Sequence, residues 1–207
     1  MAASPTHGSR TKSRQPDRGA CPAGAGVPGE WHLPAGIQVT PGPAPEPGTS
    51  GGHSIVVMPT LLIVHHKPSP TMQAMLEAVL AGARDEAIEG VDVVVRPALA
   101  ANAVDALAAD GYLLGTPANI GHMSGALKHF CDQIYYPCLE ATVGRPYALY
   151  VHGGSDTTGA VRSVETIVTG LKWKRLREPL TVIGTPDGKD REACWELGAA
   201  TAASLMR

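Results

Sequence analysis

Thr60-Leu61-Leu62-Ile63-Val64-His65 is an apolar run that breaks off at His66-Lys67-Pro68-Ser69-Pro70. A continuous apolar run closed by a proline-rich turn is the pattern of a strand buried on both faces. Directly after it, Met72, Met75, Leu76, Val79, Leu80, Ala83, Ala87 and Ile88 recur at helical spacing and make one apolar face. Residues 91–96 are β-branched and strand-like. Strand, helix and strand in this order form a βαβ unit, whose crossover makes the two strands parallel.

The alternation continues to the end of the chain. Residues 111–115 are a third apolar run, closed by Thr116-Pro117. A helix follows with Ala126, Leu127, Phe130, Cys131 and Ile134 on one side, then a fourth strand over 146–151, stopped by Gly153-Gly154. Val161, Val164, Ile167, Val168 and Leu171 mark the next helix, Leu180–Ile183 a fifth strand, and 191–206 a closing helix. The pattern predicts an α/β domain: a five-stranded parallel sheet in the order 2-1-3-4-5 with helices on both faces. Such sheets bind ligands outside the carboxyl ends of their strands, at the switch point of the strand order. The loops after strands one, three and four are therefore the candidate site.

Composition changes near position 58. Residues 1–57 hold nine of the 18 prolines and ten of the 24 glycines, and cannot bury enough apolar surface to offset ordering entropy. They are expected to be a disordered Pro/Gly-rich arm, with the folded domain over 58–207. The first twenty residues carry Arg and Ser and few acids, as a targeting arm does, but prolines interrupt any amphipathic helix there. Met58 stands directly before the first strand, which leaves open an over-called start.

Bulk chemistry excludes several classes. With 17% charged residues and a net charge of −2, no basic stripe marks a nucleic-acid binder. No apolar run reaches the roughly 18 residues of a membrane span. Cys21, Cys131, Cys138 and Cys194 form no CxxC pair and no Cys/His metal spacing, and read as reduced thiols in a cytoplasmic protein. His65 and His66 lack a third metal ligand at suitable spacing.

The first loop, 65–73, has Ser69 as a helix N-cap and Pro70 at the first helical position. The amides of Thr71, Met72 and Gln73 then point out of the helix start, and with two hydroxyls and the helix dipole they suit a phosphate. A capped helix without a ligand fits the same residues, and Lys67 is either a cationic contact or a solvated side chain. The second loop, Gly115-Thr116-Pro117-Ala118-Asn119-Ile120-Gly121-His122-Met123-Ser124-Gly125, offers backbone amides, one carboxamide and little bulk, as a flat heterocycle requires; the alternative is a plain turn into a helix capped by Ser124. The third, His152-Gly153-Gly154-Ser155-Asp156-Thr157-Thr158-Gly159, allows close backbone approach, or is a turn capped by Asp156 or Thr157.

The second loop resembles the GTPxxxGxMSG segment of flavodoxin-like FMN proteins, with Phe130 and Asp132 as the F-x-D that follows it. The likeness extends over 58–207. It is nearest to the tryptophan-repressor-binding-protein type of NAD(P)H quinone reductases and to NADPH-dependent FMN reductases. The resemblance implies a flavodoxin-like three-layer sandwich that binds FMN, takes reducing equivalents from NAD(P)H and passes them to a quinone-like small acceptor. It places Ser69, Thr71 and Met72 at the FMN phosphate. Thr116, Pro117, Ala118, Asn119, Ile120 and Gly121 flank the isoalloxazine ring, and Gly153, Gly154 and Ser155 contact its pyrimidine side. The chain departs from the family in the phosphate loop, which has hydroxyl residues at the positions of Lys67 and Met72 and a glycine at that of Pro70. His122 and His152 are candidates to donate to a substrate oxygen at the ring opening. No nicotinamide-domain GxGxxG is present. A one-electron carrier and a flavin-free domain of the same fold are the alternatives, and a homo-oligomer is left open.

Overall fold

The computed structural model describes residues 58–206; the arm expected over 1–57 lies outside the described residues. In chain order the elements are β1 (Thr60–His65), α1 (Pro70–Ala83), β2 (Asp92–Pro97), α2 (Ala103–Ala108), β3 (Gly111–Asn119), β4 (His122–Met123), α3 (Gly125–Cys138), β5 (Pro146–Gly153), α4 (Thr158–Gly170), β6 (Lys174–Arg175), β7 (Leu180–Ile183) and α5 (Gly188–Ala203). The sheet runs β2-β1-β3-β5, and both β6 and β7 pair with the far edge of β5. Every pairing in this sheet is parallel.

Side chains alternate across the sheet and build two cores. Leu62, Val64, Tyr112, Leu114, Leu149 and Val151 face α2, α3 and α4, where they meet Ala106, Leu127, Phe130, Ile134, Val164 and Val168. Leu61, Ile63, Leu113, Ala148 and Tyr150 face α1 and α5, meeting Met72, Met75, Val79, Cys194 and Leu197. Each fully buried aliphatic contributes about 1.5–3 kcal/mol, so the doubly buried β1 and β3 anchor all three layers. Cys131, Cys138 and Cys194 are buried free thiols, and burial pushes the Cys131 and Cys194 thiols up to about 12. Among the described residues no helix is long and apolar enough to cross a membrane.

The order 2-1-3-4-5 is as expected, with three local differences. The fifth position is split: Pro146 and Tyr147 pair with Lys174 and Arg175, while the segment from Tyr150 to Gly153 pairs with β7. The short helix α2 follows β2, started by an Asn102–Asp105 capping box that satisfies two orphan amides. Its last carbonyls accept from Arg145, whose guanidinium reaches Ala106, Leu107 and Ala109. The third strand does not stop at Gly115 but runs to Asn119. The Gly115 carbonyl accepts from the His66 amide on the β1 side. Alternation turns Pro117 to that same side, where β1 has already ended, so its missing N–H removes no ladder bond.

β3 then folds back on β4 through a two-residue turn, Ile120-Gly121, closed by Asn119 opposite His122. Both turn residues have positive φ, 49° and 73°, the primed geometry that matches strand twist. A β-branched residue there costs about 1–2 kcal/mol, and the Ile120 side chain is wholly exposed, so no burial offsets it. Ile120→Asn is expected to stabilise the fold by about 1 kcal/mol, a rise in melting temperature of roughly 2–4 °C. An unchanged or lowered melting temperature would show that the isoleucine makes a contact of its own.

Candidate functional site

The three loops singled out in the sequence meet at the carboxyl edge of β1, β3 and β5. Ser69 is the N-cap of α1, in extended conformation, and its hydroxyl accepts from the Met72 amide at 3.3 Å. Pro70 follows at the first helical position. Of the three amides expected to point outward, two have acceptors. Met72 N–H donates to the Ser69 side chain, and Gln73 N–H donates to the Ser69 carbonyl at 3.0 Å. Thr71 keeps an amide with no intrahelical acceptor. The Met72 side chain is fully buried in the core beneath, so only its backbone belongs to this edge.

Thr116 is fully buried and turned inward. Its hydroxyl donates to the Pro117 carbonyl at 2.9 Å and accepts from the Ser124 amide at 2.9 Å. It holds the hairpin closed from within. Pro117 is buried, Ala118 half-buried, and Asn119, Ile120, Gly121 and His122 are exposed along the rim. Ser124 caps α3 through the Leu127 amide. Two contacts absent from the sequence reading fix the hairpin against α4. The Ser163 hydroxyl accepts from the Met123 amide at 3.1 Å. Gly159 lies so close that a Cβ would overlap the Gly121 carbonyl. Neither shows a periodicity signal, because each contact joins residues some forty positions apart.

In the third loop Gly153 is buried, and a Cβ there would stand 2.5 Å from the Asp156 carbonyl. Gly154 and Ser155 are exposed. Thr157 occupies the cap position of α4 without a side-chain bond; Asp156 supplies the acceptor instead, taking the Thr158 amide at 3.1 Å and hydroxyl at 2.7 Å. Those bonds hold its carboxyl below the usual range. The His152 Nε2–H donates to the Gly184 carbonyl at 2.7 Å, which commits that ring to the end of β7. His122 instead lines a cavity of about 420 Å³ between the hairpin, α3 and α4, with Met123, Gly125, Lys128, Ser163, Thr166 and Ile167. This cavity holds no residue of the first or third loop.

His65, at the end of β1, is 4% exposed, and its Nδ1 has no partner. Burial, with Lys67 and His66 nearby, holds its pKa down to about 4. The unfolded chain titrates near 6.5 and therefore binds a proton that the folded state refuses. This contribution is present in full above pH 6.5 and is lost as pH falls toward 4. Lowering pH from 7 to 5 is expected to cost roughly 2 kcal/mol at this residue. Urea midpoints at the two pH values should show it, and His65→Gln should remove that part of the slope.

No family model matches the chain, and no curated protein matches it. Solved structures do. A flavodoxin from the domain Archaea is 20% identical, with a TM-score of 0.60, over 70% of this chain and 98% of its own. Oxidised flavodoxin 1 from Bacillus cereus is 21% identical at a TM-score of 0.60, over 71% and 99%. A WrbA-like flavodoxin from Agrobacterium tumefaciens is 17% identical at a TM-score of 0.54, over 72% and 98%. These chains are matched almost end to end. From Met58 onward the chain has the flavodoxin fold.

Proposed function

We propose that the protein binds FMN across the ends of β1, β3 and β5, and oxidises NAD(P)H at the expense of a quinone-like acceptor. One observation carries the reading: a serine-capped helix start and a tightly closed, small-residue hairpin stand at the switch point of a flavodoxin-type sheet. The residues suit the group. At one end, the Thr71 amide and the Ser69 hydroxyl sit at the positive end of α1, where a phosphate is favoured. At the other, Gly121 and Gly154 have open space where a side chain would stand, so a planar ring meets backbone and not bulk.

Bound FMN supplies the redox chemistry, and the protein binds and orients it. Ser69 and the Thr71 amide would hold the phosphate, with the Met72 amide orienting the Ser69 hydroxyl to which it donates. The rim from Thr116 to Gly121 flanks the ring, with Thr116 acting through the shape of the hairpin. Gly153, Gly154 and Ser155 line the pyrimidine side. His122, on the rim, is the histidine left free to meet a substrate oxygen, since the His152 Nε2–H is engaged by Gly184. Burial of Thr116, Pro117 and Met123 keeps water from the inner wall of the hairpin. A cytoplasmic setting and self-association belong to this reading as well.

The alternative is a one-electron carrier, favoured by the end-to-end match with chains called flavodoxins. Carriers dock through strong surface charge, which raises encounter rates. Residues 58–207 hold 13 Lys and Arg against 16 Asp and Glu, a net of only −3. The test is anaerobic. Purified protein with FMN should show flavin absorption, bleach on addition of NADH or NADPH, and recover with a soluble quinone. If neither nicotinamide bleaches it and dithionite reduces it in two separate one-electron steps, it is a carrier. A protein that stays colourless with added FMN binds no flavin.

A further inference from the structure

His65, Gly115 and Tyr150 form one row across the sheet: His65 pairs with Gly115, and Gly115 with Tyr150. Alternation puts all three on the face covered by α1 and α5, since Leu61, Ile63, Leu113 and Tyr150 share that core. Gly115 has no side chain, and Tyr150 uses the space. A Cβ on Gly115 would fall within the tyrosine ring edge and hydroxyl. Tyr150 thus leans over β3 toward β1. Its hydroxyl is fully buried without a partner, as is the His65 Nδ1. Two sealed polar atoms without partners are costly, and here they belong to one row on one face of the sheet, with only Gly115 between their strands.

Burial pushes the Tyr150 hydroxyl pKa up, so it stays protonated and needs an acceptor. A neutral imidazole has one acceptor nitrogen and one N–H. If Nδ1 accepts from Tyr150, directly or through one water, the ring proton sits on Nε2. β1 ends at His65 and α1 begins five residues later on the same face, its Met72 packed in the same core. The layer above the imidazole is therefore the first turn of α1.

We propose that His65, fixed in its Nε2–H form by Tyr150 across Gly115, is a side-chain donor to the phosphomonoester at the start of α1. The proposal rests on the flavin reading and names a residue that the family's phosphate loop does not use. It also accounts for the departures in that loop. Lys67 stands where a hydroxyl is usual, and Pro70 removes an amide. A donor rising from the sheet beneath restores one of the lost contacts.

The test compares two flavins that differ only in the phosphate, in the full-length protein. His65→Leu should weaken FMN binding tenfold or more, by fluorescence titration, while riboflavin affinity changes less than twofold. His65→Gln keeps a donor at the same reach and should recover most of the loss. Tyr150→Phe should shift the ring 15N resonances of His65 toward the other tautomer, which a merely space-filling tyrosine would not do. Equal effects on FMN and riboflavin, or none on either, overturn the proposal. Should His65→Leu fail to fold, the glutamine variant and the 15N spectrum of the wild type carry the comparison. If the wild type binds neither flavin, the flavin reading fails by itself, and inorganic phosphate decides the donor. Saturable movement of the His65 15N signals on phosphate titration upholds it, and their indifference refutes it.

Discussion

Gly198→Val is expected to destabilise the domain by roughly 3 kcal/mol, lowering the melting temperature by roughly 6–12 °C. The reason lies in how α1 and α5 cover their shared face of the sheet. A Cβ on Gly198 would overlap the Val79 carbonyl, and one on Gly82 would overlap that of Trp195. The two helices touch backbone to backbone through this pair of glycines. In an exposed helix, replacing glycine by a better helix former gains up to about 1 kcal/mol. Here the obstacle is main chain, which cannot swing aside as a side-chain tip does, so overpacking outweighs propensity. Gly188→Ala, in the first turn of α5, where a Cβ would meet nothing, is the control and should be neutral or slightly stabilising. Equal melting temperatures for Gly198→Val and the wild type would mean that the helices do not cross this closely.

Ser69→Asp is expected to lower FMN affinity by about 10- to 100-fold with little change in fold stability. Aspartate caps helices about as well as serine does, so the bond from the Met72 amide should survive and α1 should still begin at Pro70. The substitution instead sets a carboxylate against a phosphate, at the cost of about 1–3 kcal/mol for one charge-assisted contact. Equilibrium dialysis of FMN, with circular dichroism to follow the helices, separates the two effects. Unchanged affinity would remove the start of α1 from the phosphate site. Loss of helix content together with binding would mean that Ser69 acts on the fold and not on the ligand.

The layers were legible because burial on both faces leaves a local trace. Leu61-Leu62-Ile63-Val64 has no polar position to alternate with, and a strand of that kind needs helices above and below. The cap at Ser69 was equally readable, since Ser-Pro at a helix start is a chemical signature within two residues. What escaped was non-local or short. α2 has six residues and one buried side chain, Ala106, too little for a periodic signal. The split fifth strand follows from pairing to β5 at two separate places, which neither segment declares by itself. At the candidate site the loops were visible, but not their division of labour. Thr116 looks like a ligand-facing hydroxyl in sequence, yet it is spent on the Ser124 amide. His65 looks like the last residue of a strand, and only the row through Gly115 sets it in line with Tyr150.

The interruption between β6 and β7 bears on how the protein behaves at high concentration. An open sheet is vulnerable where its outermost strand shows a continuous row of free amides and carbonyls that another chain can zip onto. Here that border is two residues, a gap over 176–179, then four residues. The gap contains Arg177, Glu178 and Pro179: two charges, and a residue with no amide to donate. An incoming strand would lose register after a few bonds and bring apolar side chains against solvated charge. The break thus works as a guard against fibrous stacking on that flank.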